Sequence, residues 1–468
     1  MSNYILSNKL FFEKLLNSLL ENFEYASILI EDSKMKKYFV SKSGIDIAQS
    51  PDFTNRGYVI KVYNNGYYSE YSSNIVDNSM ITKIPENIKS NLIPIENIAK
   101  LKKLDIINDE VKSISKSTSF KIDPEKVDDK VIIDKLSNIY NSGINKEKIL
   151  DFKTFYVYCK TAKMFISKNR NLYQDILYST GGVVAIAKND EIVKDYYQGY
   201  SLLGGLELID DMNNDVDNVC TNVINLLDST AIKPGMYECI CSPEVTGMIV
   251  HEAFGHGVEM DMFVKDRAIA KDYIGKQVAS PLVTMHDGAN CEYDQCATYF
   301  FDDDGNIASD TIVIENGILK RGINDTESAL VLNDINTGNS RRESYKRKAY
   351  TRMTNTFFEP GNDKVEDMIK SIKYGFLLDN PTCGMEDPKN WGIQCMVNVA
   401  KEIKDGKLTG RIFSPIVLSG YVPDLLKSIT MMSNETFLSG SGFCGKGHKE
   451  WVKVSDGGPY IKATIKLG

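Results

Sequence analysis

Residues 251–256 read His-Glu-Ala-Phe-Gly-His, and this hexapeptide constrains the fold of the chain more than any other feature. Only four histidines occur in the chain, and two of them stand here with a glutamate between them. An α-helix turns by about 100° per residue, so the five positions from His251 to His256 leave the imidazoles about 140° apart. Gly255 and Gly257 flank the second histidine and allow the helix to end or bulge there. The spacing therefore predicts a distorted helix end if both histidines serve one site.

The residue types in this segment are those of a hydrolytic zinc site. Two neutral imidazoles can bind the metal, and a carboxylate can act as a base toward its water. The common zinc-protease motif places its histidines four residues apart rather than five. Residues 242–244 (Ser-Pro-Glu) precede the apolar residues 248–250, and a serine cap followed by proline predicts a helix start. On spacing alone, a chance pairing of histidines remains the alternative.

Hydrophobic periodicity predicts an α+β fold, with a mixed α/β N-terminal half followed by a strand-rich half that carries the zinc-motif helix. Asn64-Asn65-Gly66 predicts a hairpin turn, and residues 188–190 are predicted to close a second hairpin. We expect three domains, with boundaries 1–110, 111–228 and 229–468. The predicted helices are 7–22, 130–148 and 206–228. The predicted strands are 26–30, 37–41, 59–62, 67–71, 154–160, 183–188 and 237–241, and 108–130 is predicted to be a surface connection.

Composition excludes several classes of protein. The net charge of −8 argues against a nucleic-acid surface, and no block of basic residues forms an arm. No run of about 18 apolar residues is present, and the N-terminus lacks the pattern of a signal peptide, so no membrane association is expected. Nine cysteines, odd in number and widely spaced, are typical of reduced thiols. We therefore expect a cytoplasmic protein.

Four segments in the same order carry a family resemblance. The hexapeptide with Gly-Val-Glu at 257–259 resembles the zinc motif of the TldD/PmbA family of bacterial and archaeal metallopeptidases. The resemblance covers roughly residues 200–468, and the N-terminal part matches only in general layout. On these segments the chain is identified as a member of that family. The other matching segments are 314–320 (Ile-Glu-Asn-Gly-Ile-Leu-Lys), 338–345 (Gly-Asn-Ser-Arg-Arg-Glu-Ser-Tyr) with 352–356 (Arg-Met-Thr-Asn-Thr), and 440–446 (Gly-Ser-Gly-Phe-Cys-Gly-Lys).

The resemblance implies a site and a role for each of its residues. TldD-type subunits keep the His-Glu-His motif and a C-terminal cysteine, whereas the paired PmbA (TldE) subunits lack them. The chain keeps both, which implies the catalytic kind of subunit. The implied ligands of Zn²⁺ are His251, His256 and Cys444, and Glu252 is the implied base that takes a proton from zinc-bound water.

Two further residues compete for a place in this ligand set. His448 stands four residues after Cys444 and is a second candidate for the third ligand. Glu259 stands three residues after His256, and we expect it to orient an imidazole rather than to bind the metal.

Arg341 and Arg342 are the predicted substrate-binding residues. Such a pair can clamp a phosphate or a peptide carboxylate, or simply pair with Glu343. The resemblance places the segment near the active cleft. By contrast, Asp302 begins an Asp-Asp-Asp-Gly-Asn run that resembles a calcium loop, but Val313 lies where the last acidic ligand belongs, so a simple turn is predicted.

The resemblance implies a zinc-dependent peptidase that hydrolyses peptides or unfolded polypeptides, including in some members the leader of a modified peptide natural product. Its expected partner is a PmbA/TldE-type paralogue in a heterodimer, or a second copy in a homodimer. We expect the peptide to bind as an added strand. Two alternatives remain: a non-catalytic regulatory or binding subunit, and a zinc amidase that acts on a small molecule.

Overall fold

The computed structural model describes residues 2–49, 55–93, 102–447 and 449–468. In the N-terminal half, the described residues form an eight-stranded sheet with the order β4-β3-β1-β6-β7-β5, in which β2 pairs with β1 and β8 with β7. Only β5 runs parallel to its neighbour, β7. The strands are β1 (Tyr25–Ser41), β2 (Gly44–Gln49), β3 (Arg56–Asn64), β4 (Tyr67–Ser73), β5 (Lys112–Ser117), β6 (Ile149–Ser167), β7 (Arg170–Lys188) and β8 (Val193–Leu202).

Helices cover one face of this sheet, and the C-terminal half covers the other. Because side chains alternate along a strand, Ile28 and Tyr38 of β1 point to the helical face, whereas Leu29 packs against Phe301 on the opposite face. The sheet is therefore buried on both sides. The helices are α1 (Asn3–Leu20), α2 (Met80–Asn91), α3 (Asp129–Ile144), α4 (Leu208–Asn214) and α5 (Val216–Leu226).

The first predicted hairpin is confirmed, because β3 and β4 pair across a turn in which Asn65 and Gly66 have φ angles of 53° and 98°. Two positive φ angles are what a two-residue hairpin turn requires. The prediction of separate strands at 26–30 and 37–41 is wrong, since both belong to β1. This strand stays continuous because β6 pairs with it from Ser27 to Ser41.

The second predicted hairpin has a different turn. β6 pairs with β7 around residues 168–169, and residues 188–190 instead lead from β7 into β8. The predicted helix at 206–228 is two helices, α4 and α5, with Asp215 between them. The predicted surface connection at 108–130 contributes β5 to the sheet and a short 3₁₀ turn at Pro124–Lys126.

The C-terminal half is rich in strands, as predicted. Its helices are α6 (Pro243–Ile249), α7 (Met260–Val264), α8 (Thr326–Leu332), α9 (Val365–Lys370) and α10 (Val422–Lys427). Its strands are β9 (Gly235–Cys241), β10 (Met285–Gly288), β11 (Asp310–Glu315), β12 (Ile318–Leu319), β13 (Ser340–Arg341), β14 (Tyr350–Thr351), β15 (Asn355–Phe358), β16 (Tyr374–Asp387), β17 (Gly392–Lys404), β18 (Lys407–Phe413), β19 (Ile416–Tyr421), β20 (Met431–Met432), β21 (Phe437–Ser439), β22 (Phe443–Cys444), β23 (Val452–Lys453), β24 (Ser455–Gly458) and β25 (Ile461–Leu467).

Two sheets of this half hold the motif helix. Strands β9, β25, β19, β17 and β16 pair in sequence, and β16 pairs with both β17 and β9, so these five strands close into a ring. A six-stranded sheet has the order β12-β11-β10-β15-β24-β21. Helix α6 contacts β16 of the ring and β24 of the second sheet. The apolar side chains of this segment are fully buried in the core of the C-terminal half, namely Ile249, Val250, Ala253 and Phe254. The motif is therefore anchored in this core.

Buried ion pairs link the two halves. Lys61 of β3 pairs with Asp304, Lys163 of β6 pairs with Asp303 at 2.5 Å, and Arg342 pairs with Glu70 of β4 at 3.1 Å. The acidic residues belong to the run that resembles a calcium loop. It forms a turn, as predicted, with Gly305 at φ 81°.

The α+β fold class is confirmed. The domain boundaries at residues 110 and 228 stay predictions, although strands from both sides of residue 110 lie in the same sheet. In the part of the chain that the structure describes, no helix combines the length and the apolar character needed to cross a membrane.

Candidate metal centre

The helix that carries the histidines changes its winding at the motif. Ser242 caps α6 by accepting a hydrogen bond from the backbone N–H of Val245. Residues 250–255 then form a π-helical turn, and His256 donates its backbone N–H to the carbonyl of His251, five residues earlier. A hydrogen bond across five residues makes one turn span five positions, which brings both histidines to the same side. The predicted bulge is confirmed.

The two imidazoles converge on one thiol. The Nε2 atom of His251 lies 3.3 Å from Sγ of Cys444, and Nε2 of His256 lies 3.4 Å from the same atom. The three ligand atoms all lie within 4.8 Å of one another. A tetrahedral zinc ion, with bonds of about 2.3 Å to sulfur and about 2.0 Å to nitrogen, separates these atoms by about 3.5 Å. The donor set therefore fits zinc in its chemistry, and both sulfur–nitrogen distances fit in spacing.

Cys444 lies in a setting that favours its thiolate. It belongs to β22, which pairs with β23, and it is almost fully buried. Burial would raise the pKa of the thiol, but the neighbouring His251 and His256 lower it to about 4. The thiolate is the form that binds metal. His448, the other candidate for the third ligand, lies outside the described residues.

Each histidine has a carboxylate near its other ring nitrogen. Oε2 of Glu259 lies 3.5 Å from Nδ1 of His256, and Oδ2 of Asp456 lies 3.9 Å from Nδ1 of His251. Glu259 thus lies where it can orient the imidazole, the position that we expected for it. Burial raises the pKa of the Asp456 carboxyl to about 6. A carboxylate within hydrogen-bond reach, as Glu259 is for His256, fixes the ring orientation and the tautomer of a metal-binding histidine.

A buried arginine ties these groups together. Arg352 donates to the carbonyl of Cys444 at 2.8 Å, and its Nε lies 3.4 Å from Oε1 of Glu259. Lys446 lies 3.1 Å from the other oxygen of Glu259 and 2.7 Å from Asp261. Both oxygens of Glu259 therefore face cations. Arg352 connects the strand of the thiol with the carboxylate beside His256.

The three candidate ligands line a cleft of about 1060 Å³, which we call the metal cleft. Glu252 lines the same cleft. A Cβ atom on Gly384 of β16 would lie 2.6 Å from Cγ of Glu252, so glycine allows the strand to approach this side chain. Glu386 also lines the cleft, and burial raises its pKa well above the usual range. The cleft therefore places acidic side chains beside the candidate metal site.

The predicted substrate-binding arginines lie elsewhere. Arg342 is buried and pairs with Glu70 at 3.1 Å. Arg341 donates to the carbonyl of Met353 at 2.6 Å, and its guanidinium lies 5.4 Å from the ring centre of Tyr299. Among the described residues, neither arginine lines the metal cleft. A role in substrate binding stays a prediction, and for Arg342 the ion pair supplies a structural role.

Sequence reasoning did not assign roles to Arg352, Glu386 or Asp456. Arg352 stands in one of the segments that carry the family resemblance. The resemblance draws attention to this residue but does not predict which groups it contacts. Asp456 follows the thiol by twelve residues, and no spacing rule connects it with His251. The fold brings it there through β24, which pairs with β15 and contacts the motif helix.

Comparison with known proteins assigns the family. Residues 234–465 match the family model described as the PmbA/TldA metallopeptidase C-terminal domain. A metalloprotease of Methanocaldococcus jannaschii is 29% identical over 457 residues, which are 97% of this chain and 98% of the relative. The chain belongs to the PmbA/TldD family. Another PmbA/TldD relative, the metalloprotease TldD homolog of Buchnera aphidicola subsp. Schizaphis graminum, is 35% identical over 50% of this chain and 48% of its own.

Solved structures share the fold. TldE from Thermococcus kodakarensis superposes with a TM-score of 0.73 at 16% identity, over 97% of this chain and 100% of its own. A Thermotoga maritima protein described as a candidate modulator of a DNA gyrase gives 0.79 at 15% identity, over 98% and 100%. These solved structures therefore share the fold of this PmbA/TldD chain over both halves. The shared part includes the N-terminal sheet, which none of the matching sequence motifs covers.

Proposed function

We propose that the chain is a zinc-dependent peptidase that hydrolyses peptide bonds in peptides and unfolded polypeptides. The observation that carries this proposal is the convergence of His251, His256 and Cys444 on one point of the metal cleft, with Glu252 lining the same cleft. Relatives that share this family are named metalloproteases, which supports the reaction class.

The side chains divide the chemistry among them. The three ligands hold zinc, which when bound supplies Lewis-acid activation of a water molecule and of the scissile carbonyl. Glu252 accepts the proton of the attacking water and delivers it to the leaving amine. Glu259 holds the His256 imidazole in the orientation that directs Nε2 toward the site. Asp456 lies 3.9 Å from Nδ1 of His251 and adds a negative charge beside that ring.

The cleft has an open strand edge that suits an extended peptide. Strand β16 pairs with β9 only over residues 375–378, whereas it pairs with β17 along most of its length. Residues 381–386 line the cleft. Within the described chain, their edge away from β17 therefore has no strand partner, and a peptide can hydrogen-bond there. Unchanged cleavage after the peptide amides are replaced by esters would contradict strand addition.

We propose that the subunit works in a pair, with either a TldE-type paralogue or a second copy. The support is that a TldE chain shares the fold over its full length. The native mass of the protein, purified alone and together with such a paralogue, measures this. A monomer that cleaves peptides at full rate without the paralogue contradicts pairing.

Metal content and cleavage together test the proposed function. We expect about one zinc per chain in the wild type and a sharp loss in Cys444→Ser. Cys383→Ser is the matched control, since Cys383 is exposed and lines the same cleft without facing a histidine. Glu252→Gln should keep the zinc and lose at least about 100-fold in peptide cleavage.

Three outcomes would change the assignment. If Cys444→Ser retains zinc, Cys444 is not the third ligand and another residue binds the metal. A wild type that takes up no zinc, even after incubation with the metal, favours a non-catalytic subunit. Cleavage of small amides but not of unfolded or leader-bearing peptides favours a zinc amidase.

A further inference from the structure

A second cavity lies between the N-terminal sheet and the C-terminal half, and we call it the inner cavity. Its volume is about 130 Å³, and Arg341 and Lys453 contribute to its lining. Phe443 and Trp451 line both this cavity and the metal cleft. Because Lys453 pairs with Phe443 across β22 and β23, the inner cavity lies one residue along the strand from Cys444. The two spaces are therefore neighbours.

Lys453 lines this cavity, and no carboxylate of the described residues forms an ion pair with it. The residue is 6% exposed, and Nζ has no hydrogen-bond partner among the described residues. Nζ lies 4.6 Å from the ring centre of Phe443 and 5.6 Å from that of Tyr178. Burial lowers the pKa of this ammonium to about 8. Aromatic faces compensate only part of the cost of burying a charge, so the ammonium lacks its main partner.

Arg341 supplies a second cation to the same space. Its guanidinium donates to the carbonyl of Met353 and lies over the ring of Tyr299. No carboxylate of the described residues forms an ion pair with it, and burial lowers its pKa. Two buried cations that face one cavity repel each other unless an anion lies between them.

The acidic residues of the lining do not fill this role. Asp303 pairs with Lys163, Asp302 accepts hydrogen bonds from the turn that contains it, and Glu343 accepts from the backbone of Glu450. Glu31 is the remaining carboxyl of the lining. Burial raises its pKa, which favours the neutral form. Among the described residues of the lining, Lys453 and Arg341 therefore have no ion pair, and no ionised carboxylate is left to pair with them.

We propose that the inner cavity binds a carboxylate group, held between the Lys453 ammonium and the Arg341 guanidinium. A volume of about 130 Å³ admits a group of a few heavy atoms. The carboxylate has two sources: the free C-terminus of a peptide in the metal cleft, which rests on the proposed function, or a small free carboxylic acid, which does not.

Binding of propionate, compared with its neutral isostere propionamide, tests the cavity by isothermal titration on the intact protein. We expect propionate to bind at least about tenfold more tightly, since hydrogen bonds to charged groups carry that difference. Lys453→Met should abolish the discrimination. Without any carboxylate, this variant should also melt at a higher temperature than the wild type, because it removes an unpartnered charge. Equal binding of the two probes in the wild type overturns the proposal.

Lys462→Met is the matched control. Lys462 is as nearly buried as Lys453, but it pairs with Glu238 at 2.9 Å. This variant should keep the discrimination and melt at a lower temperature. If Lys453→Met does not fold, Arg341→Met is the second variant, and it should lose the discrimination as well. Discrimination retained in Arg341→Met and in Lys453→Met overturns the proposal.

A pair of matched peptides identifies the source of the carboxylate. If the free acid is cleaved at least about tenfold faster than the C-terminal amide, and Lys453→Met removes this preference, the ligand is the peptide terminus. Equal cleavage, together with propionate binding, assigns the cavity to a free small carboxylate. Failure to cleave either peptide counts against the proposed peptidase, while the titration still decides about the cavity.

Discussion

Charged side chains around the two imidazoles and the thiolate hold them in place, and two of these, Glu259 and Lys446, also line the metal cleft. Glu259 is 2% exposed at its side chain and faces Nδ1 of His256. It is also the group on which Arg352 and Lys446 converge. Burial would raise its pKa, but these cations and His256 lower it below the usual range. These cations favour the ionised form of Glu259, and its charge is then available to orient the ring.

Glu259→Gln should lower zinc affinity by about 10- to 100-fold, because it removes the charge that holds the His256 ring. Competition with a chromogenic chelator, on folded protein, measures the change. Glu244→Gln is the control, since Glu244 lines the cleft and hydrogen-bonds Gln198 rather than a ligand histidine. Equal zinc affinity in Glu259→Gln and the wild type would rule out the orienting role.

At the scale of elements, the π-helical turn depends on a glycine. A Cβ atom on Gly255 would lie 2.1 Å from Sδ of Met353, which is buried. Gly255→Ala should cost about 1–3 kcal/mol of unfolding free energy and weaken zinc binding, because the turn or Met353 must shift. Chemical denaturation with and without zinc measures both. Gly420→Ala, which meets nothing within 4 Å, is the control and should change neither.

Strand β10 carries a histidine between two carboxylates. Nδ1 of His286 lies 3.0 Å from Asp310, and Nε2 lies 2.8 Å from Glu359. Burial lowers the pKa of His286, but the two carboxylates raise it above 6.5. A raised folded pKa means that this stabilisation is complete below pH 6.5 and is lost as pH rises through the folded value.

The expected contribution is on the order of 1 kcal/mol, since both carboxylates are partly exposed to solvent. Unfolding free energies of the wild type and His286→Gln, measured between pH 5.5 and about 9, test it. The wild type should lose its advantage over the variant as the pH rises. A constant difference across this range would contradict the assignment.

Local patterns predicted the short elements better than the long ones. The Asn-Gly turn between β3 and β4 was predictable because two adjacent residues must adopt positive φ. The length of β1 was not, since the five charged residues within 31–37 interrupt its apolar pattern. Lys34 and Lys36 are only half-buried, and they form ion pairs with residues far along the chain, Glu125 and Asp129. Contacts of this kind leave no periodic signal.

At the scale of the whole molecule, buried charges join the two halves. Lys61 pairs with Asp304, which is nearly inaccessible to solvent. Lys61→Met should cost about 3–5 kcal/mol, because it leaves the carboxylate buried without its partner. Thermal or denaturant unfolding measures this. Lys348→Met is the control, since the Lys348–Glu327 pair is exposed and should contribute at most about 1 kcal/mol. A similar loss in both variants would contradict a special role for the buried pair.

The site was more predictable than the architecture around it. His251 and His256 stand in one motif, and the family resemblance added Cys444, which the structure places 3.3 Å from His251. The partners of Arg342 were not predictable, because Glu70 is separated from it by more than half of the chain. A salt bridge between distant segments depends on the complete fold, whereas the placement of His251 and His256 depends on a single helical turn.

The π-helical turn also has a consequence for how such sites are compared. Removing Gly255 from the motif would leave His-Glu-Ala-Phe-His, the four-residue spacing of the common zinc-protease helix. In a sequence alignment, the motif therefore corresponds to the common motif with one inserted residue. The π-helical turn accommodates this residue because its turns are wider than those of an α-helix. A fixed-spacing pattern search therefore passes over a site whose two imidazoles still lie on one side. Scoring the winding of the helix together with the spacing would detect both.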